Sequence, residues 1–503
     1  MLLSSSSSLS PALKVKYTIL NPQYTLRHSG GCSYIIKRLQ SFDPQIVQGS
    51  NALSIVPNVV GFLLYQIGLL PFQESIQSMC RMLGVNADVL KHFILNLTAN
   101  DRRLKIRWEN CDIYFPKRLL LTSETKRVLE KHGQIGISEV VEPSKFHKGR
   151  PLIPFSVNIM LTNRCYTNCV YCYANRTIGQ ELATEKVIEI IKEAESIGVV
   201  DLALTGGDLL MRSDSIEVFK QCISSGFSPI VSTKTPKDNS YVTRLSDIGI
   251  KELQFSLDSV NPCTLTRLIK VNHNYLAEVT SFFETCAKHN ISLSIRSVIT
   301  SLNSSVEEVS AVYSFLHKFE NIEKWTITPA FHSEYRAESD EIAPRESDLK
   351  KIYEFTSKLE KKIPIYYNKI DDDGYSFKQF GSKSDFLSCG TTCLANSTSM
   401  SILLNGDCTI CEMLYDNPIF NLGNILNSSI SEVWNSRRAL EIYYGKLVDQ
   451  SRSTCNSCEF SFECKSRIFK HVCYVDVVKV NGLNCCDYPD PRCPESISRN
   501  ILL

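Results

Sequence analysis

Three cysteines within eight residues, Cys165, Cys169 and Cys172, stand in a CxxxCxxC spacing directly behind an apolar stretch. Three thiolates on one loop can hold three irons of a cubane cluster and leave the fourth iron open to a further ligand. A zinc site short of one ligand is the competing chemistry, since thiolates serve both metals. A second concentration of thiols follows, because eleven of the twenty cysteines lie beyond residue 388. Among them Cys455, Cys458 and Cys464 are spaced CX2CX5C, and Cys393 and Cys411 flank Gly406 at distances of twelve and four intervening residues. Cys389 precedes them, and Cys473, Cys485, Cys486 and Cys493 follow. One or two structural zinc sites would use the same spacings. Cys408 reads as a strand residue, and the six single cysteines (Cys32, Cys80, Cys111, Cys222, Cys263, Cys286) read as small packing residues.

A reactive loop needs a rigid frame, and one is legible from Pro154 onward. Apolar FSVNIML is followed by helix-period TEKVIEIIKEAESIG and then by VDLAL. The alternation continues through PIVST, ELQFSL, ISLSIRSVI and KWTITPA, with helical patterns between them and ESDLKKIYEFTSKLEKK after the last. Six such units predict a partial (β/α)6 barrel of the TIM kind, with chemistry at the C-terminal ends of the strands. Cys165, Gly206, Ser232 and Asp258 all fall at such ends. The first 150 residues read differently: short strands at KVKYTI and SYIIKRL, helices at VPNVVGFLLYQIG, PFQESIQSMCRMLG and NADVLKHFILNL, and a hairpin at RRLKIRWENCDIYF. Three helices and a hairpin predict a winged-helix-like module. Beyond residue 385 helix and strand signals thin as cysteines become dense, which suits a domain organised around metal.

Composition narrows the partners. With 55 basic and 53 acidic residues the net charge is +2, so no global field would gather a polyanion, and nucleic acid is excluded as a first choice. The apolar run from Val59 to Leu70 is broken by Gly61, Gln66 and Gly68 and falls well below the roughly 20 residues of a membrane span. The opening MLLSSSSSLSPALKVK lacks the basic start and apolar core of a secretory signal. Twenty cysteines in a chain of this length without an export signal therefore point to metal ligation in a reducing, cytoplasmic setting.

CxxxCxxC behind the first barrel strand resembles the radical S-adenosylmethionine (SAM) superfamily. The resemblance continues in LTGGD on the second strand, STK on the third and FSLDS on the fourth. It implies a 4Fe-4S cluster on Cys165, Cys169 and Cys172, whose open iron binds the amino and carboxylate groups of SAM and releases a 5′-deoxyadenosyl radical. It further implies that Tyr171 lies near the adenine. Gly206, Gly207 and Asp208 would meet the methionine amino group, with Asp208 standing where the family has a glutamate. Ser232 and Lys234 would lie beside the carboxylate with Arg296 as its ion-pair partner, and Ser256 and Asp258 beside the ribose. No catalytic residue is assigned beyond the cluster.

The C-terminal cysteines resemble the SPASM domain, which implies two auxiliary 4Fe-4S clusters. One would use Cys455, Cys458, Cys464 and Cys493. The other would use Cys389 or Cys393 or both, with Cys411 and a cysteine normally four residues after Cys464. Ile468 holds that place here, and Cys473 is the nearest replacement, with Cys485 or Cys486 next. The helix order of the first 145 residues is similar to the peptide-recognition element related to the pyrroloquinoline-quinone biosynthesis chaperone, in which a leader peptide adds as a strand.

The expected organisation is thus a recognition module over 1–145, a radical SAM barrel over 150–345 and a SPASM region over 385–495. The expected function is maturation of a ribosomally made precursor peptide by a thioether or carbon-carbon crosslink, an auxiliary cluster taking up the electron left over. A one-electron donor such as flavodoxin or ferredoxin would be the second partner. A sulfatase-maturating or other SPASM dehydrogenase, and a metal-bound peptide scaffold without turnover, are the alternatives. Intact GGD and SLD segments argue against the scaffold, which has no use for a SAM pocket.

Overall fold

The computed structural model describes residues 16–29, 31–38, 53–108, 111–128, 130–140, 149–175, 179–330, 341–359, 362–368, 370–371, 374–375, 379–389, 393–414, 417–447, 453–466 and 468–497. The expected module boundary at residue 145 and the serine-rich start lie outside them. The chain divides into two compact units, one of residues 1–38 and 51–149, the other of 39–50 and 150–503. Among the described residues no helix is long and apolar enough to cross a membrane.

The first unit contains strands β1 (Tyr17–Leu20), β2 (Tyr24–Ser29), β3 (Cys32–Lys37) and β4 (Leu53–Pro57) and helices α1 (Asn58–Gln66), α2 (Phe72–Leu83) and α3 (Ala87–Ala99). The hairpin β5 (Leu104–Trp108) and β6 (Cys111–Phe115) and the strand β7 (Leu120–Ser123) complete it. Strands β2, β3 and β4 form an antiparallel sheet, and β1 pairs with β7. The two helix starts following Pro57 and Pro71 suit a residue that cannot donate a helical hydrogen bond. Asn86 caps α3 by accepting from the N–H groups of Asp88 and Val89 at 2.9 and 3.2 Å. Ile76, Met79, Leu90, Ile94 and Leu97, spaced three and four apart, turn inward onto Leu26, Ile35 and Val56 of the sheet. The three helices and the hairpin stand where the periodicity predicts. Strands β2, β4 and β7 are additional, and β4 takes Leu53–Pro57, whose last residues the pattern had assigned to the first helix.

In the second unit β8 (Ser156–Thr162), α4 (Thr184–Ile197), β9 (Asp201–Gly206), α5 (Ser215–Ser224), β10 (Val231–Thr233), α6 (Asn239–Asp247) and β11 (Glu252–Ser256) alternate in the expected order. Helices α7 (Pro262–Ile269) and α8 (Tyr275–Lys288), then β12 (Ser292–Ile299), α9 (Val306–Leu316), β13 (Ile322–Pro329), α10 (Glu346–Ser357) and β14 (Ile365–Tyr367) continue it. Helix α7 went unread because Pro262 and the capping Asn261 look like a turn; Asn261 accepts from the Cys263 N–H at 3.0 Å and so starts a helix. Parallel ladders join β8 to β9 and run from β10 through β14, but among the described residues no ladder joins β9 to β10. Alternation decides what faces where. On β11, Leu253 and Phe255 are fully buried, Phe255 lying 5.1 Å from the ring of Phe283, while Gln254 and Ser256 face the other way. Burying a phenylalanine so completely stabilises by about 1.5–3 kcal/mol.

The remainder of the unit holds a two-residue ladder of β15 (Ile370–Asp371) and β16 (Gly374–Tyr375), then α11 (Lys383–Cys389), β17 (Ser399–Ile402), β18 (Asp407–Thr409) and β19 (Asn421–Asn424). Short helices α12 (Ile430–Trp434), α13 (Arg437–Tyr443) and α14 (Ser461–Lys465) precede α15 (Tyr474–Asn481). Strand β17 pairs in parallel with β8, Ser399 opposite Ser156 and Ile402 opposite Ile159, so the cysteine-rich segment extends the barrel sheet.

Candidate functional site

Strand ends and one loop enclose a cavity of about 280 Å³. Cys165, Cys169, Cys172, Tyr171, Gly206, Gly207, Asp208, Ser232, Lys234, Ser256 and Arg296 all line it. Of the residues singled out for this site only Asp258 stands behind the wall, and it holds two that do not. Its carboxylate accepts from Lys234 Nζ at 2.7 Å, from the Tyr171 hydroxyl, and from the Val298 N–H at 2.9 Å.

The cysteine loop is pinned from two sides. The N–H groups of Asn168 and Val170 donate to Ile269 O and Leu268 O, each at 2.9 Å, at the end of α7. On the other side Gly207 N–H donates to Thr162 O at 2.6 Å and Asp208 N–H to Arg164 O at 2.8 Å. That approach explains both glycines. A Cβ on Gly206 would meet Thr162 O at 2.2 Å and one on Gly207 would meet Arg164 O at 2.3 Å; Gly206 also has φ +143°.

The Asp208 carboxylate is engaged by the protein. It accepts from Leu210 N–H at 3.0 Å, Thr233 Oγ1 at 2.8 Å, Lys234 N–H at 2.8 Å and Thr235 Oγ1 at 2.7 Å. These bonds span the β9–β10 seam that lacks a ladder. Burial would lower Lys234, but the charges of Asp258, Cys169 and Asp208 and the hydrogen bond to Asp258 together outweigh it, and the ammonium is held above its ordinary range. Burial, then the charge of Asp258, pushes Tyr171 well up. Arg296 is pulled down to about 10 by burial, and Tyr173 is pushed well up by the charge of Glu412 and by burial. Gln254, which accepts from Ser232 Oγ at 2.7 Å and donates to Ser256 Oγ at 2.9 Å, was missed, as were Thr233, Thr235 and Tyr173. Strand alternation was the available signal: Gln254 and Ser256 are polar at i and i+2 between apolar neighbours.

A second cavity, of about 260 Å³, is lined by Cys455, Cys458, Cys464 and Cys493 together with Lys383, Lys465, Asp490 and Glu495. Among the described residues no three His, Cys, Asp or Glu side chains are placed to hold a single metal ion, so four thiols spread around this room suit a cubane better than one tetrahedral ion with sulfurs at about 2.3 Å. Burial pushes Cys464 up to about 12, and Cys493 is raised the same way, a cost that binding iron as thiolate removes. Cys393, Cys411 and Cys473 form another group. Burial raises all three, Cys411 to about 12, and the charges of Cys393 and Asp476 are felt at both Cys411 and Cys473. Ile468 is packed into the interior at 2% exposure, while Cys473 sits at the start of α15 with its N–H donating to Asp490 Oδ2 at 2.8 Å. Cys408 is fully buried on β18. Cys389 closes α11, and its side chain lies outside the described residues.

Comparison with known proteins accords with this geometry. Residues 159–315 match the radical SAM superfamily and residues 393–459 match SPASM, an iron-sulfur cluster-binding domain. A "Probable GTP 3',8-cyclase" of Methanothermobacter thermautotrophicus is 29% identical over 136 residues, 26% of this chain and 43% of that protein. The chain thus spans about two fifths of the length of that relative. The PqqA peptide cyclase of Rhizobium meliloti is 22% identical over 318 residues, 62% of this chain and 80% of its own. Among solved structures, Streptococcus suis SuiB bound to precursor peptide SuiA superposes with a TM-score of 0.59 at 15% identity, covering 94% of this chain and 98% of the other. The iron-sulfur match sets the zinc alternative aside.

Proposed function

We propose that this chain, whose residues 159–315 match the radical SAM superfamily and 393–459 the SPASM domain, is a radical SAM enzyme using SAM and iron-sulfur clusters to mature a ribosomally made precursor peptide. It would take hydrogen from a core residue and close a thioether or carbon-carbon crosslink. The observation that carries the reading is the extent of the fold likeness. SuiB, solved with a precursor peptide bound, is matched over 94% of this chain, a span too long to leave out the first unit. The PqqA peptide cyclase, aligned over 318 residues, supports a peptide substrate as well, whereas the GTP cyclase alignment, at 136 residues, is too short to carry a substrate across.

The first unit would hold the leader. Its sheet has β2 and β4 as edge strands. Along β2 runs the segment of Glu130, which accepts from Thr25 Oγ1 and pairs with Arg38 at 2.8 Å, and of Gly133, whose carbonyl bonds His28 Nε2 at 3.0 Å. We therefore assign leader addition to β4, where main-chain hydrogen bonds supply affinity and tethering raises the local concentration of the core peptide.

When bound, the cofactors supply reductive cleavage of SAM to a 5′-deoxyadenosyl radical and one-electron uptake. Cys165, Cys169 and Cys172 hold the cluster in this reading, with an external donor such as flavodoxin or ferredoxin as its source of electrons. Tyr171 lies by the adenine, Ser232, Lys234 and Arg296 by the carboxylate, and Ser256 by the ribose. Asp208 and Asp258, already occupied by protein donors, act by fixing the β10 exit and the Lys234–Tyr171 pair. The test is anaerobic incubation of reconstituted enzyme, reductant and SAM with candidate precursors encoded nearby. A peptide lighter by two hydrogens per crosslink is the expected product, and SAM cleavage that leaves every leader-bearing peptide unaltered would overturn the proposal.

A further inference from the structure

A buried lysine pairs with Cys393, and a half-buried arginine shares its aromatic neighbour Tyr443; among the described residues neither meets an acid. Lys470 is 0% exposed, and its main chain pairs with that of Cys393 through bonds of 2.7 and 3.2 Å. Its ammonium donates to Tyr443 O at 3.1 Å and Lys465 O at 3.0 Å and lies 4.2 Å from the centre of the Tyr443 ring. Arg150 stacks on Trp434 at 3.5 Å, lies 5.8 Å from the same Tyr443 ring and donates to Asn396 and Trp434. Among the described residues no carboxylate pairs with either. Arg492, by contrast, is matched by Asp490 at 2.6 Å and Asp476 at 3.4 Å. A buried charge costs several kcal/mol unless a counter-charge meets it, so Lys470, bridged through its main chain to Cys393, is placed to meet a negative group there. Three thiolates and the cluster they bind would be that group.

The second thiol cavity has its own lysine, differently used. Lys383 Nζ lies 3.1 Å from Cys458 Sγ, a hydrogen bond to one prospective ligand sulfur, with Glu495 at 3.7 Å behind it.

We propose that each auxiliary cluster is electrostatically set by one lysine: Lys470 as the buried counter-cation of the cluster at Cys393, Cys411 and Cys473, and Lys383 as the donor to a ligand sulfur of the cluster at Cys455, Cys458, Cys464 and Cys493. The inference rests on the assignment of those cysteines to two clusters. Positive charge and hydrogen bonds to sulfur stabilise the reduced, more negative state and raise the potential. Lys470 acts without contact with solvent, so its effect is screened least.

The experiment is an EPR-monitored redox titration of full-length reconstituted protein, carried out in a Cys169→Ala background so that only the auxiliary clusters report. Lys470→Met should shift the reduction equilibrium of one cluster at least tenfold toward the oxidised form, 59 mV for one electron, and leave the other in place. Lys383→Met should move the other cluster in the same direction by less, and Lys383→Arg should restore it. Should Lys470→Met fail to fold, Lys470→Gln reads the same charge. Parent-like iron content with unchanged potentials in the lysine variants overturns this inference alone. A parent protein in which neither auxiliary cluster forms overturns it together with the ligand assignment.

Discussion

In the proposed site, removing any one thiolate of the cavity loop would take away a ligand that no other cysteine of the loop can replace, since Cys165, Cys169 and Cys172 are its three cysteines. Cys165→Ala, Cys169→Ala and Cys172→Ala should each abolish formation of 5′-deoxyadenosine under reducing, anaerobic conditions, measured by chromatography; turnover surviving in any of them contradicts the assignment. Asp208 is a different case. Asp208→Ala strands two hydroxyls and two N–H groups in a site 4% exposed. Each unsatisfied buried group costs about 1–3 kcal/mol. The variant should therefore lose several kcal/mol of stability by denaturant titration, and bind SAM roughly tenfold more weakly by calorimetry. Full stability would show the seam is held by other means. At this scale the cysteines and the GGD, STK and SLD segments were legible because spacing along one strand end survives folding unchanged. Gln254, Thr235 and Tyr173 were not, because their place depends on which face of a strand or loop the barrel turns inward.

Elements were read best where apolar periodicity was long. The six predicted barrel strands, and the helices predicted between them, stand as the alternation requires, whereas β2, β4 and β7 offered no clean alternation: β2 and β4 are buried along most of their length, and β7 is four residues. The parallel pairing of β17 with β8 could not be read, because the two strands are more than two hundred residues apart and nothing local records their contact. The first unit has its own buried core of Leu26, Val56, Ile76, Met79, Leu90 and Ile94. Deleting residues 1–145 should leave SAM cleavage in the absence of peptide largely intact while modification of full-length precursor collapses, followed by mass spectrometry. A truncated enzyme that modifies precursor at the parent's rate would reduce the first unit to a structural cap.

Among the described residues the thiols proposed as ligands fall in three places: the barrel cavity, the cavity lined by Cys455, Cys458, Cys464 and Cys493, and the half-buried set of Cys393, Cys411 and Cys473. Three cubanes would bring about twelve irons per chain, countable after anaerobic reconstitution. Four iron atoms with zinc in the remaining places would return the C-terminal region to structural metal. The third group decides the chemistry open to the substrate. Cys473 feels the charges of Asp476 and Cys393, and its N–H is fixed by Asp490, which supports the proposal that it replaces the ligand absent at Ile468. Cys473→Ala should accordingly shift the spectrum of one auxiliary cluster and abolish crosslinking, with SAM cleavage persisting because the radical cluster would draw its ligands from the loop after β8, which does not include Cys473. A silent Cys473→Ala would mean that this cluster keeps an open iron, to which a thiolate of the peptide could bind, and would turn the expected product toward a thioether.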